Sequence, residues 1–238
     1  MGLYRDQGVV LRTMRLGEAD RIVTIVTAGR GKVRAVVKGV RKTTSRFGAR
    51  LEPLSHVSLI LYEGRELDIV TQAESIDHFR TIREDLDRMV RATCLMEAVD
   101  QVAQERTANP RLYQMLVGAL RALAARDSAL LVPAFFWKLL SLEGFHPLLD
   151  RCATCGTEED LVAFDLNEGG VLCRACRRGT AVSPGAIALL RRVLGGDLAR
   201  VLEEPPGPAA AEVEHLAHRA VEHHLERRLR SLAALHHR

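Results

Sequence analysis

The chain has 238 residues, 47% of them hydrophobic and 27% charged, which is enough apolar material to bury a core and too much for a globally disordered polymer. No stretch offers the ~20 uncharged apolar residues of a membrane helix, and the start MGLYRDQGVV lacks the basic opening and apolar run of a secretory signal, so a cytoplasmic protein with no membrane partner is expected. The formal net charge is only +4, but it is unevenly spread: between Arg21 and Arg50 there is no acidic residue, while Arg30, Lys32, Arg34, Lys38, Arg41, Lys42, Arg46 and Arg50 all fall inside.

In chain order, residues 1 to about 80 alternate short β-rich runs with turn signals. The runs are 8–13, 21–27, 32–39, 56–63 and 66–75, and the AlaGlyArgGly at 28–31 reads as a tight hairpin loop. Five short strands in this space fit an OB-type barrel better than a sandwich, with an SH3-like barrel as the main competitor. From about 81 the period changes to fours: Leu86, Val90, Cys94, Ala98 and Val102 share one helical face. A second helix follows AsnPro at 109–110. A third, about 128–143, is apolar nearly all round through Phe135, Phe136 and Trp137 and is expected at the centre of its domain. Ser183 and Pro184 open another helix, ProProGlyPro at 205–208 breaks the chain, and an amphipathic helix is expected over about 209–235. The reading is an α+β protein: residues 1–80 form a five-stranded OB-fold barrel, and residues 81–238 form a helical domain with a cysteine motif inserted at 150–179.

That motif is Cys152-x2-Cys155 and Cys173-x2-Cys176, with 17 residues between the two knuckles. This spacing suits one tetrahedral four-cysteine zinc site, and four thiolates leave the ion no open position, so a single structural Zn2+ is expected rather than a catalytic one. The alternatives are two disulfides, which a cytoplasmic protein disfavours, and a redox pair, which needs one CxxC at a helix start after a strand. Cys94 lies on an apolar helical face and reads as a small buried hydrophobe. The histidines 215, 218, 223, 224, 236 and 237 read as surface residues of the terminal helix rather than a second metal site.

Eight basic residues on one hairpin and the loop leaving it make a plausible phosphate track. Here the chain also resembles a known family. GVVLRTMRLGEADRIVTIVT, GKVRAVVKGVRKTTSRFGARLEP, FFWKLLSLEGFHPLLDRCATCG and GGVLCRAC, in that order, resemble the bacterial recombination mediator family RecO over nearly the whole chain. The resemblance implies an N-terminal OB-fold, a helical domain with a zinc knuckle, and binding of single- and double-stranded DNA. It further implies annealing of complementary strands and, with RecR, loading of RecA onto DNA coated by single-strand binding protein. The family's motif positions fall on Gly31, Lys32, Lys38, Gly39, Arg41, Lys42, Ser45 and Arg46, and DNA contact is assigned to the basic ones and their like-charged neighbours Arg30, Arg34 and Arg50. The helical domain is the expected place for the acidic, hydrophobic-ended tail of single-strand binding protein. A nucleoid-associated, cytoplasmic mediator follows from the same likeness.

No catalytic residue is expected. GRGK at 29–32 lacks the spacing and the following Ser or Thr of a phosphate-cradling loop, and there is no HExxH, GxSxG or compact carboxylate cluster. The rival to a mediator is a zinc-ribbon adaptor or regulator without annealing activity. The cluster Arg174, Arg177, Arg178, Arg191 and Arg192 beside the cysteines is either a second DNA contact or a solvated face.

Overall fold

A computed structural model describes residues 2–40, 47–226 and 228–232. The chain forms two compact units, Met1–Arg126 and Asp127–Arg238.

In the first unit, β1 (Leu3–Leu16), β2 (Asp20–Thr27), β3 (Gly31–Val37), β4 (His56–Tyr62) and β5 (Asp68–Asp77) close a barrel in the order β1-β2-β3-β5-β4. The order is that of an OB-type barrel. Closure depends on β1, whose residues Leu3–Val9 pair with β4 while Gly8–Leu16 pair with β2, across a bulge between Val10 and Arg12 that lets the strand turn the corner. β1 starts five residues earlier than the apolar pattern suggests, because Leu3, Arg5 and Gln7 face solvent and interrupt that pattern. Val10, Val23, Ile25, Val33, Ala35, Val57, Leu59 and Leu61 fill the interior.

The helices α1 (Arg80–Arg83), α2 (Leu86–Val102) and α3 (Pro110–Ala125) follow. The Asp85 carboxylate accepts the Asp87 and Arg88 N–H groups at the start of α2. Asn109 accepts that of Leu112 with Pro110 in the first turn of α3. α2 touches β1 and α3 touches β2. That packing explains why β2 reads as a continuous apolar run: Val23 and Ile25 point into the barrel, yet the alternating residues Ile22, Thr24 and Val26 are buried too.

Behind this face His56 Nε2 lies 2.7 Å from the Tyr113 hydroxyl, while its Nδ1 is buried without a partner. Burial, then the Arg121 charge, pull the His56 pKa below its ordinary 6.5, against a smaller opposite pull from Asp77. The unfolded chain therefore binds the proton first, so this residue costs stability as pH falls below about 6.5. Thermal melts from pH 7.5 to 5.5 are expected to fall less for His56→Gln than for the parent chain; parallel curves would remove His56 from the acid response.

The second unit is built around α4 (Leu131–Leu142), whose residues are buried from Leu131 to Trp137 and again at Leu139 and Leu140. A helix apolar on all sides must be central, and α4 packs on both α5 (Pro184–Leu194) and α7 (Pro208–Leu225). Trp137 stacks edge-on against Phe164 at 5.6 Å. Between α4 and α5 lies a small sheet of β6 (Leu161–Asp165), β7 (Gly170–Cys173) and β8 (Thr180–Ala181), in the order β7-β6-β8. A short α6 (Leu198–Val201) precedes the last break. The expected helix over 209–235 stops at Leu225, where Glu226 turns left-handed with φ of 51°. His236 and His237 lie outside the described residues.

Candidate nucleic-acid interface and metal centre

The β2–β3 hairpin and its surroundings place five of the eight basic residues; Arg41, Lys42 and Arg46, with Ser45 of the family motif, lie outside the described residues. Strand alternation turns Lys32, Arg34 and Val36 outward, opposite the interior residues Val33, Ala35 and Val37. β3 spans the barrel from end to end, ~20 Å for seven residues at ~3.3 Å each. Arg30 at the hairpin and Lys38 with Arg50 beyond the far end therefore sit at opposite rims of the barrel.

Their environments differ as much as their positions. Arg30 lies over the Tyr4 ring, 3.9 Å from its centre, and pairs with Glu63 at 2.9 Å. Tyr4 in turn hydrogen-bonds to the buried Asp68, which also accepts from Arg106 at 3.0 Å and from the Gly64 N–H at 3.0 Å. Burial first, and the Asp68 carboxylate next, raise the Tyr4 pKa. Lys32 donates to the Asp100 main-chain carbonyl at 2.6 Å and retains little exposure. Lys38 and Arg50 are exposed, Arg34 is half-buried, and no ion pair to a described acid holds Arg34 or Lys38. Near the second rim the Gly39 N–H bonds Asp20 at 2.7 Å, and Arg21 pairs with Glu52. These two ties fix where the loop leaves β3 and where it returns to β4.

The hairpin itself is stitched to the connector between α2 and α3 by backbone bonds. The Lys32 N–H donates to the Gln104 carbonyl at 3.0 Å, and the Arg106 N–H to the Lys32 carbonyl at 3.0 Å. Gly31 is required here twice over: its φ is +68°, and a Cβ would stand 1.9 Å from the Thr107 carbonyl oxygen. Nothing in the local sequence announces this clamp, because Gln104 and Thr107 are polar connector residues with no periodic signature. Of the four aromatics in this half, Phe47 and Phe79 are buried in the core and Tyr4 lies under Arg30; Tyr62 alone is exposed.

The second arginine cluster is largely matched by acids. Arg178 pairs with Glu168, Arg191 with Asp150 at 2.9 Å, and Arg192 with both Asp197 at 2.8 Å and Glu204 at 2.6 Å. Arg174 and Arg177 are exposed.

The four cysteines converge. The sulfurs of Cys152, Cys155, Cys173 and Cys176 all lie within 4.8 Å of one another, on two knuckles that flank the open end of the β6–β7 hairpin. The Gly156 N–H closes the first turn on the Cys152 carbonyl at 2.9 Å, with Gly156 at φ of +79°, and the Cys176 N–H closes the second on Cys173 at 3.2 Å. Burial pushes the Cys152 thiol up, but backbone N–H groups of Cys173, Cys155 and Thr154 outweigh it and draw it down to about 6. Cys176, bonded to Cys155 and Cys173, is pushed up to about 12. Four sulfurs within reach of one point are the donor chemistry of a soft metal site, where a bound cation would favour their ionised forms.

Family models match almost the whole chain: the N-terminal model of recombination protein O covers residues 1–79 and the C-terminal model residues 83–233. Among curated relatives, a DNA repair protein RecO of Nocardioides sp. is 45% identical over 244 residues, covering 97% of this chain and 98% of its own. Another of the same name from Frankia casuarinae is 45% identical over 248 residues, covering 99% of each. An OB-like barrel followed by helices and a four-cysteine cluster, matched end to end at this identity, establishes that the chain belongs to the recombination protein O (RecO) family.

Proposed function

We propose that this protein is a DNA repair and homologous recombination mediator that binds single- and double-stranded DNA and anneals complementary strands. With RecR it promotes loading of RecA onto DNA coated by single-strand binding protein. The observation that carries the DNA-binding step is the cationic rim beyond β3, where Lys38 and Arg50 stand exposed on either side of the segment holding Arg41, Lys42 and Arg46. Annealing makes and breaks no covalent bond. It needs two polyanions held together, which a cationic surface does by displacing their counterions, so the protein works without turnover. With Tyr62 as the one exposed aromatic among the described residues of the barrel, base stacking contributes little and affinity is mainly electrostatic.

The test is DNA affinity against salt for the chain with Lys38, Arg41, Lys42 and Arg46 changed to alanine. The slope of log affinity in log salt is expected to flatten by about 0.7 for each lost contact to a single strand. An unchanged slope would remove the rim from the contact surface.

The four-cysteine site holds one structural Zn2+ in this reading, supported by the all-sulfur donor set and the closed ring of four ligands. A recess of about 320 Å³ in the second unit, lined by Trp137, Phe145, Pro147, Phe164, Leu166 and His224, suits the hydrophobic end of the single-strand binding protein's tail. No helix among the described residues is long and apolar enough to cross a membrane, which is compatible with a cytoplasmic, nucleoid-associated role.

A further inference from the structure

Barrels of this strand order take nucleic acid chiefly on the outer face of strands 2 and 3. In this chain the outer face of β1, β2 and β3 also carries cations, Arg12 on β1 and Lys32 and Arg34 on β3, flanking the buried β2 residues Thr24 and Val26. A single acidic residue of α2 grips two of them. The Asp100 carboxylate accepts from Arg12 Nε at 2.7 Å through one oxygen and lies 3.5 Å from Lys32 Nζ through the other, while its main-chain carbonyl takes the same Nζ at 2.6 Å. Asp100 thus sets one carboxylate against a cation of β1 and a cation of β3. Arg12 remains 53% exposed beyond it, so the cation is accessible and its charge is matched.

We propose that Asp100 determines how much of the barrel surface DNA can use: by neutralising Arg12, which stays exposed beside the face that α2 and α3 cover, it withdraws that cation and leaves binding to the rim at Lys38 and Arg50. The inference rests on the reading that the barrel binds DNA. α2 acts as a pseudo-ligand on the surface where a related barrel binds its strand.

The experiment measures binding of a fluorescent oligothymidylate across a salt series for the parent chain, Asp100→Asn, Asp100→Asn with Arg12→Ala, and Glu74→Gln. Asparagine keeps the shape and an acceptor for Arg12 while removing the charge. Glu74 is an exposed acid on β5, so its variant carries the same change in net charge elsewhere. Asp100→Asn is expected to steepen the slope by about 0.7 for the one cation freed, Arg12, because Lys32 stays on the Asp100 main-chain carbonyl, and to tighten binding about fivefold at 0.1 M salt. Adding Arg12→Ala is expected to reverse at least half of that gain, and Glu74→Gln to leave the slope alone. An unchanged slope in Asp100→Asn, a gain that survives loss of Arg12 in full, or an equal gain in Glu74→Gln overturns the proposal. Should Asp100→Asn fail to fold, Arg12→Ala alone decides: a neutralised arginine leaves the slope unchanged, and a flatter slope overturns the assignment. A parent chain whose binding does not respond to salt would instead sink the reading of the barrel itself.

Discussion

Replacing Cys152 with serine is expected to abolish stoichiometric metal and to unfold the segment from Leu148 to Val182 while the first unit stays folded. Cys152 is 1% exposed and anchors both sides of its knuckle, its N–H donating to Thr157 at 2.7 Å and the next N–H, of Ala153, to Val171 at 2.8 Å. Behind it the apolar support is thin: Ala163 and Leu172 are the other buried members of the cluster around Cys152 and Cys173. Beyond it the sheet is anchored by Phe164 against Trp137, so a metal crosslink is expected to supply much of the order of the two knuckles. Structural zinc sites in small domains contribute on the order of 10 kcal/mol, and that contribution disappears with the fourth ligand. Metal content by mass spectrometry, together with limited proteolysis mapped to each unit, checks this. Chelation should loosen the second unit first, with DNA affinity affected only indirectly. If DNA binding vanished while both units resisted protease, the ion would have to lie in the contact surface.

Gly31→Ala is the other large effect. The new methyl would overlap the Thr107 carbonyl and come 3.0 Å from that of Gln104, both backbone atoms that no rotamer change can move, and the residue would hold φ of +68° with a Cβ. The expected cost is about 3 kcal/mol or more, read as a loss of denaturation midpoint in urea with the slope preserved. The two backbone bonds of Lys32 to the connector should break with it, visible as faster amide exchange at Lys32 and Arg106. A variant within 1 kcal/mol of the parent would show that the hairpin and connector part easily, about the scale of one ordinary hydrogen bond.

Much of this was legible in the sequence because it depends on local pattern. The five strands were marked by alternation and glycine turns, α4 by its apolar circumference, and the metal site by the spacing of Cys152, Cys155, Cys173 and Cys176. What the sequence did not show is pairing at a distance. Lys32 reads as one more cation in an acid-free stretch, and its partner Asp100 stands 68 positions away on a helix face with no distinguishing mark. Arg191 and Arg192 likewise read as a basic patch until Asp150, Asp197 and Glu204 arrive beside them. Charge runs describe a surface only after the fold has decided which charges meet. The end of α7 was missed for the opposite reason: the apolar stripe continues past Leu225, but Glu226 turns left-handed with no glycine to announce it.

The stitching of the hairpin to the connector also orders events during synthesis. When Asp77 leaves the ribosome every strand of the barrel exists, but Gln104 and Arg106, which hold the hairpin, have yet to emerge. Until α3 follows them, the Ile22, Thr24 and Val26 face has no cover. The nascent barrel therefore spends the time needed to add the 48 residues after Asp77 up to Ala125, several seconds at ~5–20 residues per second, with an apolar surface open to other chains. The first unit matures at the completion of α3 rather than at the closure of its sheet.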